Sequence, residues 1–145
     1  MFKTILVPTD GSARSEKAVK AAIEFAQQVD GKLIGISVVE PYPFPPLSES
    51  PYIGGSEAYE RRALELAKEH VAAIASAAAA ARIPCETIVV HSLNPHEEIV
   101  NAAERLRADV IFMASHGRKG LNKFFAGSET QKVIANASVP VTVFR

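Results

Sequence analysis

Five short apolar runs recur along the chain, "TILVP", "KLIGISVV", "CETIVVH", "DVIFMAS" and "VPVTVF", and a helix-like stretch stands between each consecutive pair. The runs read as strands, the first as one buried on both faces. In "DGSARSEKAVKAAIEFAQQV", Val19, Ala22, Ile23 and Ala26 fall on one helical stripe. Ser12 is the N-cap, Glu16 lies in the first turn, and Gly31 ends the helix. From Glu57 to Ala81, the residues Leu64, Ala67, Val71, Ile74 and Ala78 recur at alternating steps of three and four. "NPHEEIVNAAERLRA" opens with Asn94 as cap and Pro95 at the first helical position. "SETQKVIANA" supplies a fourth helix. Strands alternating with helices predict an α/β fold of three layers, α/β/α, around a five-stranded parallel sheet. Right-handed crossovers leave 3-2-1-4-5 as the natural strand order, with strands 1 and 4 flanking the crevice where that order reverses. Ligands of such sheets sit at that crevice, beyond the carboxyl ends of the strands.

The remaining composition narrows the function. A chain of 145 residues, 48% apolar and 22% charged, suits one domain spanning residues 1–145. Acidic and basic residues balance at 16 each, which argues against a nucleic-acid grip built on bulk positive charge. Any anion site is therefore local. Cys85 is the only cysteine, so an intramolecular disulfide and a thiolate zinc site are excluded. "MFKTILVPTDGS" lacks the features of a signal peptide, and no apolar run reaches the ~20 residues of a membrane span. A cytoplasmic protein without membrane contact is expected.

One loop concentrates charge and flexibility. "MASHGRKGLNKFFAGSETQ", from Met113 to Gln131, joins the fourth strand to the fourth helix. Gly117 and Gly120 let backbone amides approach a ligand closely, and Arg118, Lys119 and Lys123 add positive charge. Gly127-Ser128 begins a helix whose first N–H groups favour an anion. Across the crevice stands Asp10, able to accept a hydrogen bond from a base or ribose. The plainer alternatives are that Ser128-x-x-Gln131 forms a capping box and that Asp10-Gly11-Ser12 is a turn plus cap.

The chain resembles the universal stress proteins over essentially its whole length. The likeness rests on "ILVPTDGS", "VVEP", "ASHGRKGLNKFFAGS" and "VPVTVFR". Nucleotide-binding members of that family carry G-x-x-G-x9-G-[S/T]; here Gly117 is followed by nine residues and then Gly127-Ser128, whereas the first glycine position is Ala114. The resemblance implies a Rossmann-like, adenine nucleotide alpha hydrolase-like fold that binds ATP, with Mg²⁺ carried on its phosphates. By the same resemblance Pro8, Thr9 and Asp10 border adenine and ribose, and Val38 meets the adenine ring. Met113 and Ala114 close the pocket, and His116, Gly117 and Arg118 run along the ribose and phosphates. Gly127, Ser128, Glu129 and Thr130 hold phosphates, largely through backbone amides. Glu129 is the discordant member, an acidic residue in the turn that faces the phosphates. The resemblance also implies a homodimer through the last strand, Val139–Phe144, whose apolar edge is a liability when unpaired.

Two readings follow, a nucleotide-responsive stress module and a same-fold dimeric interaction protein that binds no nucleotide. A dedicated enzyme is not expected, beyond slow ATP hydrolysis, because neither G-x-S-x-G nor G-x-x-x-x-G-K-[ST] occurs. His91 and His96 flank one loop and read as solvated, so no metal is assigned to side chains. The segment Glu40–Ser56, holding five of the nine prolines, reads as a long surface loop. Its Tyr42, Phe44 and Tyr52 suit either a protein partner or packing on the second helix.

Overall fold

In a computed structural model the five runs form one sheet from β1 (Thr4–Pro8), β2 (Lys32–Val39), β3 (Cys85–His91), β4 (Val110–Ala114) and β5 (Val141–Phe144). The strand order is β3-β2-β1-β4-β5 and every pairing is parallel. The helices are α1 (Ala13–Val29), α2 (Gly55–Ala80), α3 (Pro95–Arg105) and α4 (Ser128–Asn136). The structure describes residues 1–41, 55–116 and 127–145. Gly117, Arg118, the basic residues near them and most of the proline-rich segment lie outside the described residues.

The alternation within β1 explains the three layers. Ile5, Leu6 and Val7 are all fully buried. Ile5 and Val7 join Ala22 and Ala26 of α1 and Ile74 and Ala78 of α2. Leu6 joins Ile34, Ile36, Ile99, Ala102, Ala103 and Val133, which bring α3 and α4 onto the other face. Burial of one such aliphatic side chain contributes about 1.5–3 kcal/mol, so an unbroken apolar strand demands cover on both sides. β1, β2 and β4 have it. The edge strands β3 and β5 are only partly buried.

Local differences from the sequence expectation have simple causes. The deeply buried stripe of α1 is Ser15, Ala18, Ala22 and Ala26; the bulkier Val19 and Ile23 flank it, because small side chains permit the closer approach to the sheet. Ser12 caps the helix as expected, its hydroxyl accepting from the Ser15 amide at 3.2 Å. The left-handed residue ending α1 is Asp30, at φ 53°, rather than Gly31; Asp is among the few L-residues that tolerate this region. Gly31 is needed for a different reason. A Cβ there would stand 2.6 Å from the Lys3 carbonyl oxygen. Pro95 takes the first position of α3, but Asn94 makes no side-chain cap bond. The last strand begins at Val141, two residues later than expected: Pro140 has no N–H to give, and its carbonyl accepts from Ile111 at 2.9 Å.

Candidate functional site

The crevice is built where β1 and β4 lie side by side, Ile5 beside Val110 and Leu6 beside Ile111. Beyond β1 the backbone turns sharply into α1, and side chains hold the turn. Thr9 Oγ1 accepts from the Gly11 amide at 3.1 Å and lies 3.2 Å from Ser15 Oγ. Asp10 Oδ1 accepts from the Ser12 amide at 2.9 Å. Gly11 sits at φ +75°, where a side chain would be strained and would collide with the His70 ring. The turn-plus-cap reading of Asp10-Gly11-Ser12 is thus realised. It holds Pro8, Thr9 and Asp10 at the lip of the crevice, each partly exposed.

The opposite lip is more deeply buried. Met113, Ala114, Ser115 and His116 all lie within the interior, and Met113 joins the core on the α3–α4 side, where Val38 also packs from the end of β2. Two bonds dock α4 onto this strand end. The Gly127 amide donates to the Ser115 carbonyl at 2.6 Å, and Thr130 Oγ1 donates to the Ala114 carbonyl at 3.0 Å. Gly127 is the N-cap residue and Ser128 the first residue of α4, so Ser128 does not hold the N-cap position that the capping-box reading gave it. Helix geometry leaves the amides of Ser128, Glu129 and Thr130 without intrahelical acceptors.

His116 completes the lip. Its Nδ1 lies 3.0 Å from Ser115 Oγ. Its Nε2 is buried and has no hydrogen-bond partner among the described residues. When Ser115 donates to Nδ1, Nε2 carries the proton and becomes a donor. The ring lies against α4, since a Cβ on Gly127 would come 3.9 Å from His116 Cδ2.

Glu129 does not face this lip. Its Oε2 accepts from the His96 amide at 2.9 Å and lies 3.1 Å from His96 Nδ1. Its Oε1 accepts from Lys132 Nζ at 3.3 Å. The carboxylate thereby caps α3, whose first available amide is that of His96 because Pro95 has none. Burial pushes the Glu129 carboxyl up, but the bonds from the His96 amide, Lys132 and the His96 ring outweigh it and hold the group below the usual carboxylate range. His96, read from sequence as solvated, is therefore a structural partner with only 16% of its side chain exposed. A contact between positions so far apart leaves no periodic mark in the sequence. Ser115 was likewise missed.

Pro8 and Val38 lie at or near the carboxyl ends of β1 and β2, and Thr9 and Asp10 follow β1; Met113, Ala114, His116, Gly127, Ser128 and Thr130 lie where β4 meets the start of α4. Gly117 and Arg118 lie outside the described residues. Among the described residues no cluster of three or more His, Cys, Asp or Glu side chains is placed to hold a metal ion, and no helix is long and apolar enough to cross a membrane.

Comparison with known proteins agrees with this architecture. The universal stress protein MJ0531 of Methanocaldococcus jannaschii is 34% identical over 145 residues, covering all of this chain and 83% of that protein. The solved structure of MJ0577 from the same organism superposes with a TM-score of 0.80 at 31% identity, covering 99% of this chain and 96% of the other. A universal stress protein of Archaeoglobus fulgidus, solved in complex with dAMP, shares the fold at a TM-score of 0.70 and 20% identity, with both chains fully covered. The model of the universal stress protein family matches residues 1–145, and with the sheet order and whole-length relatives in agreement, the chain belongs to that family.

Proposed function

We propose that the chain is a single-domain, adenine-nucleotide-binding module of the stress response that acts in the cytoplasm as a homodimer. One observation carries the nucleotide reading. His116 Nε2 is buried at the α4 N-cap without a partner among the described residues, a state disfavoured by about 1–3 kcal/mol. A ribose or phosphate oxygen at that point removes the penalty. A phosphate oxygen there also meets the first amides of α4 and the positive end of its dipole. Adenine then lies toward Pro8, Val38, Met113 and Ala114, ribose toward Thr9 and Asp10, and phosphates against Gly127, Ser128, Glu129 and Thr130. ATP is the first ligand to test, with Mg²⁺ riding on its phosphates rather than on protein side chains. The dAMP complex of a protein with this fold supports the choice of an adenine nucleotide.

A second reading has its own support. Thr9 Oγ1 and Asp10 Oδ1 are already engaged in the β1–α1 turn, which suits an interaction protein that binds no nucleotide. Thermal denaturation with Mg-ATP separates the two. At 100 times its Kd a ligand adds about 2.7 kcal/mol, a melting rise of several degrees. A flat response through millimolar ATP selects the second reading.

The dimer proposal rests on β5, which ends the sheet and presents Val141, Val143 and Phe144 only half-buried. Pairing with its twin about a two-fold axis removes the open edge. Sedimentation velocity at micromolar protein should show one dimeric species; a monomer throughout that range rules the pairing out.

A further inference from the structure

A cavity of about 520 Å³ opens between α1 and α2, on the sheet face opposite α3 and α4. Its origin lies in side-chain size. Ala18, Ala22 and Ala26 seat α1 close on the sheet, so Val19 and Ile23 stand only partly covered beside them. The facing positions of α2 are Ala73 and Ala77, whose single methyl groups are too short to reach across. Ile74 sinks toward the sheet because Gly35 leaves it room: a Cβ on Gly35 would stand 3.1 Å from Ile74 Cδ1. The result is an apolar trough, closed at one end by Gly11 and the His70 ring. A volume of this size falls in the range of small-molecule sites.

The rim of the trough is charged. Glu16, Lys20 and Glu24 follow one another a turn apart along α1, and Glu69 stands on α2. Arg62 approaches Glu69 at 3.9 Å and offsets part of its charge. Glu16, Lys20 and Glu24 are exposed and form no ion pair among the described residues. Three carboxylates against one ammonium thus border an apolar floor. We propose that this cavity binds a small amphipathic cation, its apolar body on Val19, Ile23 and Ile74 and its ammonium at the Glu16–Glu24 rim. The proposal does not rest on the nucleotide reading. Burial of the body supplies the affinity, and each exposed carboxylate favours a cationic head group by about two- to five-fold. An anion of the same shape meets the same floor and the opposite field.

The test is a titration of the chain with tryptamine and with indole-3-propionate, which share a ring and spacer and differ in the sign of the head group. The chain contains no tryptophan, so indole emission reports the probe alone and moves to shorter wavelength in apolar surroundings. Tryptamine should bind with a Kd on the order of 0.1–1 mM, as expected for a ligand of its size, and indole-3-propionate about ten-fold more weakly. Glu16→Gln and Glu24→Gln should each weaken tryptamine about two- to five-fold, and Lys20→Gln should strengthen it by a similar factor. Ala77→Leu keeps a strong helix former at an exposed position and fills the trough, so both probes should lose about ten-fold or more. Ala73→Leu on the same wall gives the same result and covers the case in which Ala77→Leu folds poorly. Emission unchanged at several millimolar tryptamine would overturn the proposal, as would equal affinity for the two probes. Undiminished binding in both leucine variants would place the probe elsewhere and overturn it too.

Discussion

Ile111→Ala is expected to lower stability by about 2–5 kcal/mol and the melting temperature by roughly 10 °C. Ile111 is fully buried in β4, paired with Leu6 on one side and Val141 on the other. It belongs to the cluster that also holds Ile99, Ala102 and Val133. Truncation removes its apolar contacts and leaves a void that strands bonded on both sides cannot close by collapsing. Ile111→Val, which deletes a single methylene, should cost only about 0.5–1.5 kcal/mol. Urea denaturation of both variants checks the pair. A loss below ~1 kcal/mol for the alanine variant would show that this face is less tightly packed than the structure describes.

Thr130→Val joins stability to the site. The two side chains are nearly isosteric, so packing against β4 survives while the hydroxyl is lost. Thr130 is only 3% exposed, and its hydroxyl donates to the Ala114 carbonyl at 3.0 Å. Removing one partner of a buried hydrogen bond costs about 1–3 kcal/mol. The bond also fixes the first turn of α4 against the end of β4, which sets the aim of the Ser128, Glu129 and Thr130 amides. Nucleotide-induced stabilisation should therefore shrink along with basal stability. Thr130→Ser restores the donor and should recover most of the ligand effect. Equal stabilisation by nucleotide in Thr130→Val and the wild type would detach this anchor from binding.

Much of the fold could be read from the sequence because it is periodic. Unbroken apolar runs such as "TILVP" and "DVIFMAS" separated by helical stripes leave little but a parallel sheet covered on both faces. The strand order then follows from the handedness of the crossovers. Features fixed by tertiary contacts were harder to read. Gly31 marks the end of α1, yet the left-handed residue is Asp30, because Gly31 is held by its approach to the Lys3 carbonyl. Asn94 has the right chemistry for a cap, but Glu129 reaches across from α4 and takes the first amide of α3. Thr130 fits a phosphate-binding pattern, yet its hydroxyl is spent on the Ala114 carbonyl. In each case a partner distant in sequence decided the role.

In the proposed site the buried ring of His116 and the first amides of α4 meet a ligand oxygen together. Nuclear magnetic resonance of isotope-labelled chain during a titration with nucleotide reads both at once. The Nε2 resonance of His116 and the amides of Ser128, Glu129 and Thr130 should move in parallel with a single Kd, while exposed His91 stays in place. A nucleotide that binds while leaving His116 and those three amides unmoved would contradict the account.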